Sequence, residues 1–145
     1  MNILVDADAC PVIGITITTA KRFSVPCLLF CDTAHRFEDD YAQTITVDRG
    51  ADAVDFVLVN RVSAGDLVIT QDYGLAAMCL ARGAYALRQD GVFYTNQNMD
   101  GLLESRHFSQ KIRRAGGRMK GPKKRTSEQD MQYAKALEEF LQKKN

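Results

Sequence analysis

Two aspartates one residue apart close the first apolar run of the chain, where Ile3-Leu4-Val5 leads into Asp6-Ala7-Asp8. A second apolar run, Leu67-Val68-Ile69-Thr70, leads into Gln71 and Asp72. Asp52 and Asp55 stand three apart at the start of a helical pattern, and so share one helix face. A carboxylate taken out of water is costly unless it is hydrogen-bonded or holds a cation. Asp6, Asp8 and Asp72 from strand ends, joined by Asp52 or Asp55, make a set of hard oxygen donors suited to Mg²⁺ or Mn²⁺ rather than zinc. An ion held there can polarise a phosphodiester and generate hydroxide. The candidate catalytic residues are therefore Asp6, Asp8, Asp72 and Asp55, and the candidate metal ligands Asp6, Asp8, Asp72 and Asp52. The structural alternative makes Asp8 a helix cap, Asp6 a turn acceptor, and Asp52 and Asp55 partners of a helix dipole. The chain has no Ser-His-Asp, Walker or GxGxxG pattern, and only two histidines, His35 and His107. His35 stands beside Arg36 and reads as a loop histidine.

The elements that must place these carboxylates follow a strand–helix–strand rhythm. Ile3–Val5 is a buried strand, and Asp6 and Asp8 fall at its carboxyl end, where ligands collect in open α/β sheets. Residues 12–23 alternate Ile13, Ile15 and Ile17 like a strand, but a parallel strand pair requires a crossover helix. They are assigned to a helix, with Asp8 and Pro11 as helix-start residues. Strands are expected at 27–31 and 44–47, and a helix at 51–62. The strand 67–70 and a helix at 75–82 repeat the opening design. Asp66 sits at the opposite end of that strand from Asp72 and reads as a turn residue. Short strands at 84–87 and 92–94 precede a helix at 101–114. Thr126 and Gln129 form a capping box for a last helix with one apolar face.

Composition bounds the answer. A chain of 145 residues with 46% hydrophobic and 26% charged residues is an ordinary single globular domain. No apolar run approaches a membrane span, and no signal peptide is evident, so the expected location is the cytoplasm. The four cysteines lack paired spacing and read as reduced thiols. Net charge is +1, but residues 1–105 carry −7 and residues 106–145 carry +8. Ten of the thirteen residues from Arg113 to Arg125 are Arg, Lys or Gly. Arg113, Arg114, Arg118, Lys120, Lys123, Lys124 and Arg125 are the candidate contacts to a polyanion backbone. The competing expectation is that this segment packs on the acidic body.

The segments Val5-Asp6-Ala7-Asp8-Ala9-Cys10-Pro11-Val12, Gly65 to Ala76 with Ile69-Thr70-Gln71-Asp72 at its centre, and Gly116-Gly117-Arg118 with Gly121-Pro122-Lys123 together resemble the YaiI/YqxD family of bacterial proteins. The likeness covers essentially the whole chain. The family carries no established reaction, but it is distantly similar to PIN-domain nucleases, whose acidic pocket binds divalent metal and cleaves RNA. That resemblance implies the first acid at Asp6 with Asp8 beside it, a mid-chain acid at Asp55 or Asp52, and a later one at Asp72. The last acid of the PIN pattern has no counterpart, since Thr95 and Asn96 follow Tyr94. The resulting expectation is a single three-layer α/β/α domain, PIN-like, with a mainly parallel sheet and a basic C-terminal helical extension. The expected function is Mg²⁺- or Mn²⁺-dependent cleavage of RNA. The alternatives are a nucleic-acid-binding protein with a non-catalytic pocket and a small-molecule phosphohydrolase.

Overall fold

The computed structural model describes residues 1–32, 38–48, 53–99 and 124–144. Five parallel strands, β1 (Ile3–Asp6), β2 (Cys27–Asp32), β3 (Gln43–Val47), β4 (Leu67–Ile69) and β5 (Tyr85–Leu87), form one sheet in the order β3-β2-β1-β4-β5. The helices include α1 (Ile13–Arg22), α2 (Ala53–Arg61), α3 (Tyr73–Ala81) and α4 (Ser127–Lys144). The chain runs outward from β1 through β2 to β3, then returns to β4 on the other side. The order therefore reverses between β1 and β4, and a crevice opens at that switch point beyond the strand ends.

Alternate strand residues feed two cores. Ile3, Val5, Leu29, Leu67 and Ile69 face one side, where α1 and α4 cover them. Leu4, Leu28, Phe30 and Val68 face the other, beneath α2 and α3. A sheet buried on both faces needs near-continuous apolar strands, which accounts for the unbroken runs in the sequence. The three-layer α/β/α arrangement is thus present.

Residues 13–22 are helical despite their β-branched alternation. Thr16 Oγ1 donates to the Val12 carbonyl at 2.7 Å, and Thr19 Oγ1 donates to Ile15 at 2.8 Å. Thr16 also shares a 2.6 Å hydrogen bond with Tyr133 Oη of α4, so a polar pair is satisfied inside the core. Packing of the apolar face outweighs the weak local propensity. Neither Asp8 nor Pro11 caps this helix; Val12 occupies the cap position without a side-chain bond. α3 starts at Tyr73, two residues before its apolar pattern, because Asp72 caps it. The capping box forms as expected: Thr126 N–H donates to Gln129 Oε1 at 2.9 Å and Gln129 N–H to Thr126 Oγ1 at 3.2 Å.

The strand expected at 92–94 is reduced to one antiparallel bridge between Leu87 and Phe93. Phe93 instead packs its ring on Phe140 of α4, 5.5 Å between centroids. The helix expected at 101–114 lies outside the described residues. Among the described residues, no helix is long and apolar enough to cross a membrane.

Gly91 lies against the backbone of α4. Its φ is +87°, and a Cβ there would lie 2.6 Å from the Gln132 carbonyl oxygen of α4. Gly91→Ala should cost about 2–4 kcal/mol, from the left-handed conformation and the overpacking combined. Urea unfolding monitored by circular dichroism checks this, and an unchanged midpoint would refute the contact.

Candidate functional site

Asp6 is the last residue of β1, aligned with Phe30 of β2, and the ladder runs one step further through Ala7 N–H to the Phe30 carbonyl at 2.9 Å. The chain then turns through Ala9, which adopts a φ of +56°, a strained value for a residue with a Cβ. This turn sends Asp8 across the end of β2, where Oδ2 accepts the Asp32 N–H at 3.1 Å. Asp8 is therefore anchored to a strand end rather than to α1. From β4, one residue past Ile69, comes Thr70. Its hydroxyl donates to Asp6 Oδ2 at 2.9 Å and accepts the Asp72 N–H at 3.0 Å. One buried hydroxyl thus ties the carboxylate of β1 to the backbone that carries Asp72. Asp72 Oδ1 in turn accepts Gly74 N–H at 2.9 Å and Leu75 N–H at 3.2 Å.

Asp6, Asp8 and Asp72 line one open pocket of about 470 Å³ at the β1–β4 switch point, as their strand-end positions implied. Ala9, Gln71, Tyr73 and Gln89 complete its wall. Asp55 lies in the first turn of α2 and is half-buried. It does not line the pocket, but its charge reaches Asp6. Burial pushes the Asp6 carboxyl up to about 6; the Thr70 hydrogen bond draws it back, and the charges of Asp55, Asp72 and Asp8 raise it further. Four acids therefore share one electrostatic neighbourhood. Among the described residues, no group of three or more Asp, Glu, His or Cys side chains is arranged to hold a metal ion between them. The carboxylates meet at a pocket without forming a closed cage.

Asp52, Arg113, Arg114, Arg118, Lys120 and Lys123 lie outside the described residues, as do His35 and His107. Lys124 is exposed. Arg125 is held: Nε pairs with Asp130 Oδ1 at 2.6 Å, and Nη2 donates to the Gln89 carbonyl at 2.5 Å. The described end of the basic run is thereby fastened to a residue of the pocket wall. Asp66 acts at the far end of the sheet as a turn acceptor, with Oδ1 taking Asn2 N–H at 2.8 Å and Oδ2 taking Ser63 N–H at 2.9 Å. Cys10 is half-buried and its thiol is pushed up to about 11, chiefly by burial, so it is no thiolate nucleophile. The other three cysteines are buried, free thiols.

Sequence reasoning passed over Thr70, Gln71, Tyr73 and Gln89. Thr70 was readable as the polar terminus of a buried apolar strand. Gln89 stands two residues beyond β5, at the same sheet edge as the acids, and the strand-end rule applied to β5 would have found it.

The raised carboxyl of Asp6 has a consequence for stability. Its ordinary value is 3.8 and its folded value about 6. Its stabilising contribution is whole below the first and is lost as pH rises through the second. In metal-free buffer, Asp6→Asn should therefore raise stability at pH 8 by roughly 2–3 kcal/mol, and leave it near wild type at pH 4. Chemical denaturation at the two pH values checks the sign, and a destabilised variant at pH 8 would contradict it.

A family model described as an uncharacterised bacterial family, YaiI/YqxD, matches residues 4–143. A UPF0178 protein of Exiguobacterium sibiricum is 51% identical, with 99% of each chain covered. One from Ruminiclostridium cellulolyticum is 50% identical over 97% of this chain and 92% of its own length. One from Clostridium acetobutylicum is 48% identical over 97% of both. No solved structure matches the chain. With the family model covering nearly every residue and relatives of half-identical sequence over their whole lengths, the chain belongs to the YaiI/YqxD family.

Proposed function

We propose that the pocket at the β1–β4 switch point binds Mg²⁺ or Mn²⁺ and that the protein is a divalent-metal-dependent phosphodiesterase acting on RNA, in the manner of PIN-like nucleases. The observation that carries this reading is the junction of two opposite features. An acidic pocket, with Asp6 raised to about 6 among Asp55, Asp72 and Asp8, adjoins Arg125, the end of a cationic run, through Gln89.

The donor set fits such an ion. Mg²⁺ keeps several waters and is commonly bound by only one or two carboxylates plus substrate phosphates, so an open pocket without a three-acid cage suits it. Asp6 and Asp72 would hold the ion, with Asp8 beside them. When bound, it supplies Lewis acidity toward a phosphoryl oxygen and acidifies a water. Asp55 adds negative charge that favours the cation. Thr70 orients Asp6 through its hydroxyl and fixes the Asp72 backbone with the same atom. The cationic residues offset repulsion between the acidic body and a polyanion, and Lys124 is exposed for phosphate contact.

A second reading, a nucleic-acid-binding protein with a non-catalytic pocket, draws support from one observation. Asp72 Oδ1 already accepts two amides as the cap of α3.

Asp72→Asn separates the two. Asparagine is as good an N-cap as aspartate, so α3 and the melting temperature should be preserved while the charge is lost. With Mn²⁺ and a single-stranded RNA, cleavage should fall by on the order of 10²-fold or more, the scale for removing one electrostatic group at the reacting centre. RNA affinity should stay near wild type. Absence of cleavage by the wild type with Mg²⁺ or Mn²⁺ would favour the second reading, and equal cleavage by both proteins would remove Asp72 from the mechanism.

A further inference from the structure

The two edges of the sheet are finished differently. At β5, residues 92–94 close the outer side: Leu87 and Phe93 form an antiparallel bridge, and Tyr94 N–H donates to the Ala86 carbonyl at 2.9 Å. The Tyr85 ring also meets Phe140 of α4, 5.1 Å between centroids. At the other edge β3 ends the strand order, and among the described residues no strand lies beyond it. Gln43 and Thr46 are exposed there.

An open edge recruits other strands, and proteins blunt it with a charge, a proline, a bulge or a very short strand. β3 carries none of these. Its five residues, Gln43–Val47, include no charge and no proline, and all but the first are β-branched. Its register on β2 runs unbroken from Leu28↔Gln43 to Asp32↔Val47. The ladder also shows which groups face outward. The Phe30 carbonyl accepts Ala7 N–H, so alternation along β2 turns the Cys31 backbone toward β3. Thr46, aligned with Cys31, then presents its own N–H and C=O away from β2. A second observation comes from α2, which packs on β3 as well as on β1 and β2. On that helix Phe56 is 63% exposed and Val57 36%, two large apolar side chains left in water.

One partner accounts for both features. Antiparallel pairing of β3 with its own copy is self-complementary about a two-fold axis, so the assembly closes at two. That axis stands perpendicular to the sheet and keeps each helix layer on its own face. Both α2 helices, with Phe56 and Val57, therefore lie on one face beside the joint. Charge favours the same place. Residues 1–105 carry −7, so two copies repel, and β3 is an uncharged strip on which they can meet. The stretch 100–123 is a poorer candidate to cover this edge. It joins Met99, packed with Ala76, Ala86 and Tyr94, to Arg125 beside Gln89, so it starts and ends at the β5 side.

We propose that β3 is a dimerisation edge: two copies of the chain pair antiparallel through Gln43–Val47 into one continuous sheet, five strands from each, with the α2 helices beside the two-fold axis. The inference is independent of what the acidic pocket binds. The strands of the two copies run in opposite directions, so the two pockets open at opposite rims of the joint sheet. One five-residue strand and two helix side chains from each copy offer less than the ~800 Å² per partner of a standard interface, so the affinity is micromolar rather than tighter.

Sedimentation equilibrium of the full-length protein, from low micromolar to near-millimolar concentration, tests this. Wild type should pass from monomer to dimer, and amide exchange at residues 43–47 should slow as concentration rises. Thr46→Pro removes the outward N–H and, by symmetry, two hydrogen bonds across the joint. Phe56→Glu sets like charges on the two helices beside the axis. Each should weaken dimerisation by about tenfold or more, with the circular dichroism spectrum unchanged. If Thr46→Pro does not fold, Phe56→Glu carries the test, since its side chain stands in solvent in the monomer. A monomer at every concentration would overturn the proposal. So would a dimer that either folded variant leaves undiminished, or one whose 43–47 amides exchange at the same rate as the monomer's.

Discussion

One hydroxyl joins the two strand ends on which the site depends. The Thr70 hydroxyl donates a hydrogen bond to Asp6 and accepts one from the N–H of Asp72, so the carboxylate of β1 and the helix-capping turn after β4 are set by the same atom. That atom is fully buried, and the Thr70 backbone is fixed too: its N–H donates to Leu87 at 3.2 Å, and its carbonyl accepts Tyr94 Oη at 3.2 Å. Four elements are thus locked at the one place where the strand order reverses. The cost of this arrangement appears at Asp6, which is held among like charges in a half-buried position. Such a raised carboxyl is common where a site is shaped for a ligand of opposite sign.

The fold was legible where physics is periodic. The apolar runs 3–5, 27–31 and 67–70 appear as buried parallel strands because a sheet covered on both faces leaves no room for polar alternation. The helix over 13–22 was not legible from its own residues; it followed from the handedness of parallel connections, and the Thr16–Tyr133 bond that secures it spans 117 positions. The Phe93 segment was misread as a strand because its partner, Phe140, comes from a helix far along the chain.

The site was legible in its acids and not in its neutral residues. Asp6, Asp8 and Asp72 declared themselves as charges after apolar strands, and all three line the pocket. The cap role came from an unexpected residue: Asp72 caps α3, while Asp8, the expected cap of α1, holds the end of β2 instead. A single aspartate can serve a cap with one oxygen and face a pocket with the other, so the two readings of Asp72 do not compete. Gln89 and Thr70 carry no sequence signal of charge, and only the sheet order brings β1, β4 and β5 to one edge. Arg125 was read as part of an open cationic loop, yet its guanidinium is tied to Asp130 and to the pocket wall, which fixes where the basic run meets the acidic body.

The central claim is that the carboxylates at the β1–β4 switch point bind a divalent cation. Crystals soaked in Mn²⁺ and measured near the manganese absorption edge test it most directly. The account predicts an anomalous peak within coordination distance of Asp6 or Asp72, with remaining ligand positions filled by water. Manganese found only at other sites, or absent from this pocket at millimolar concentration, would contradict it.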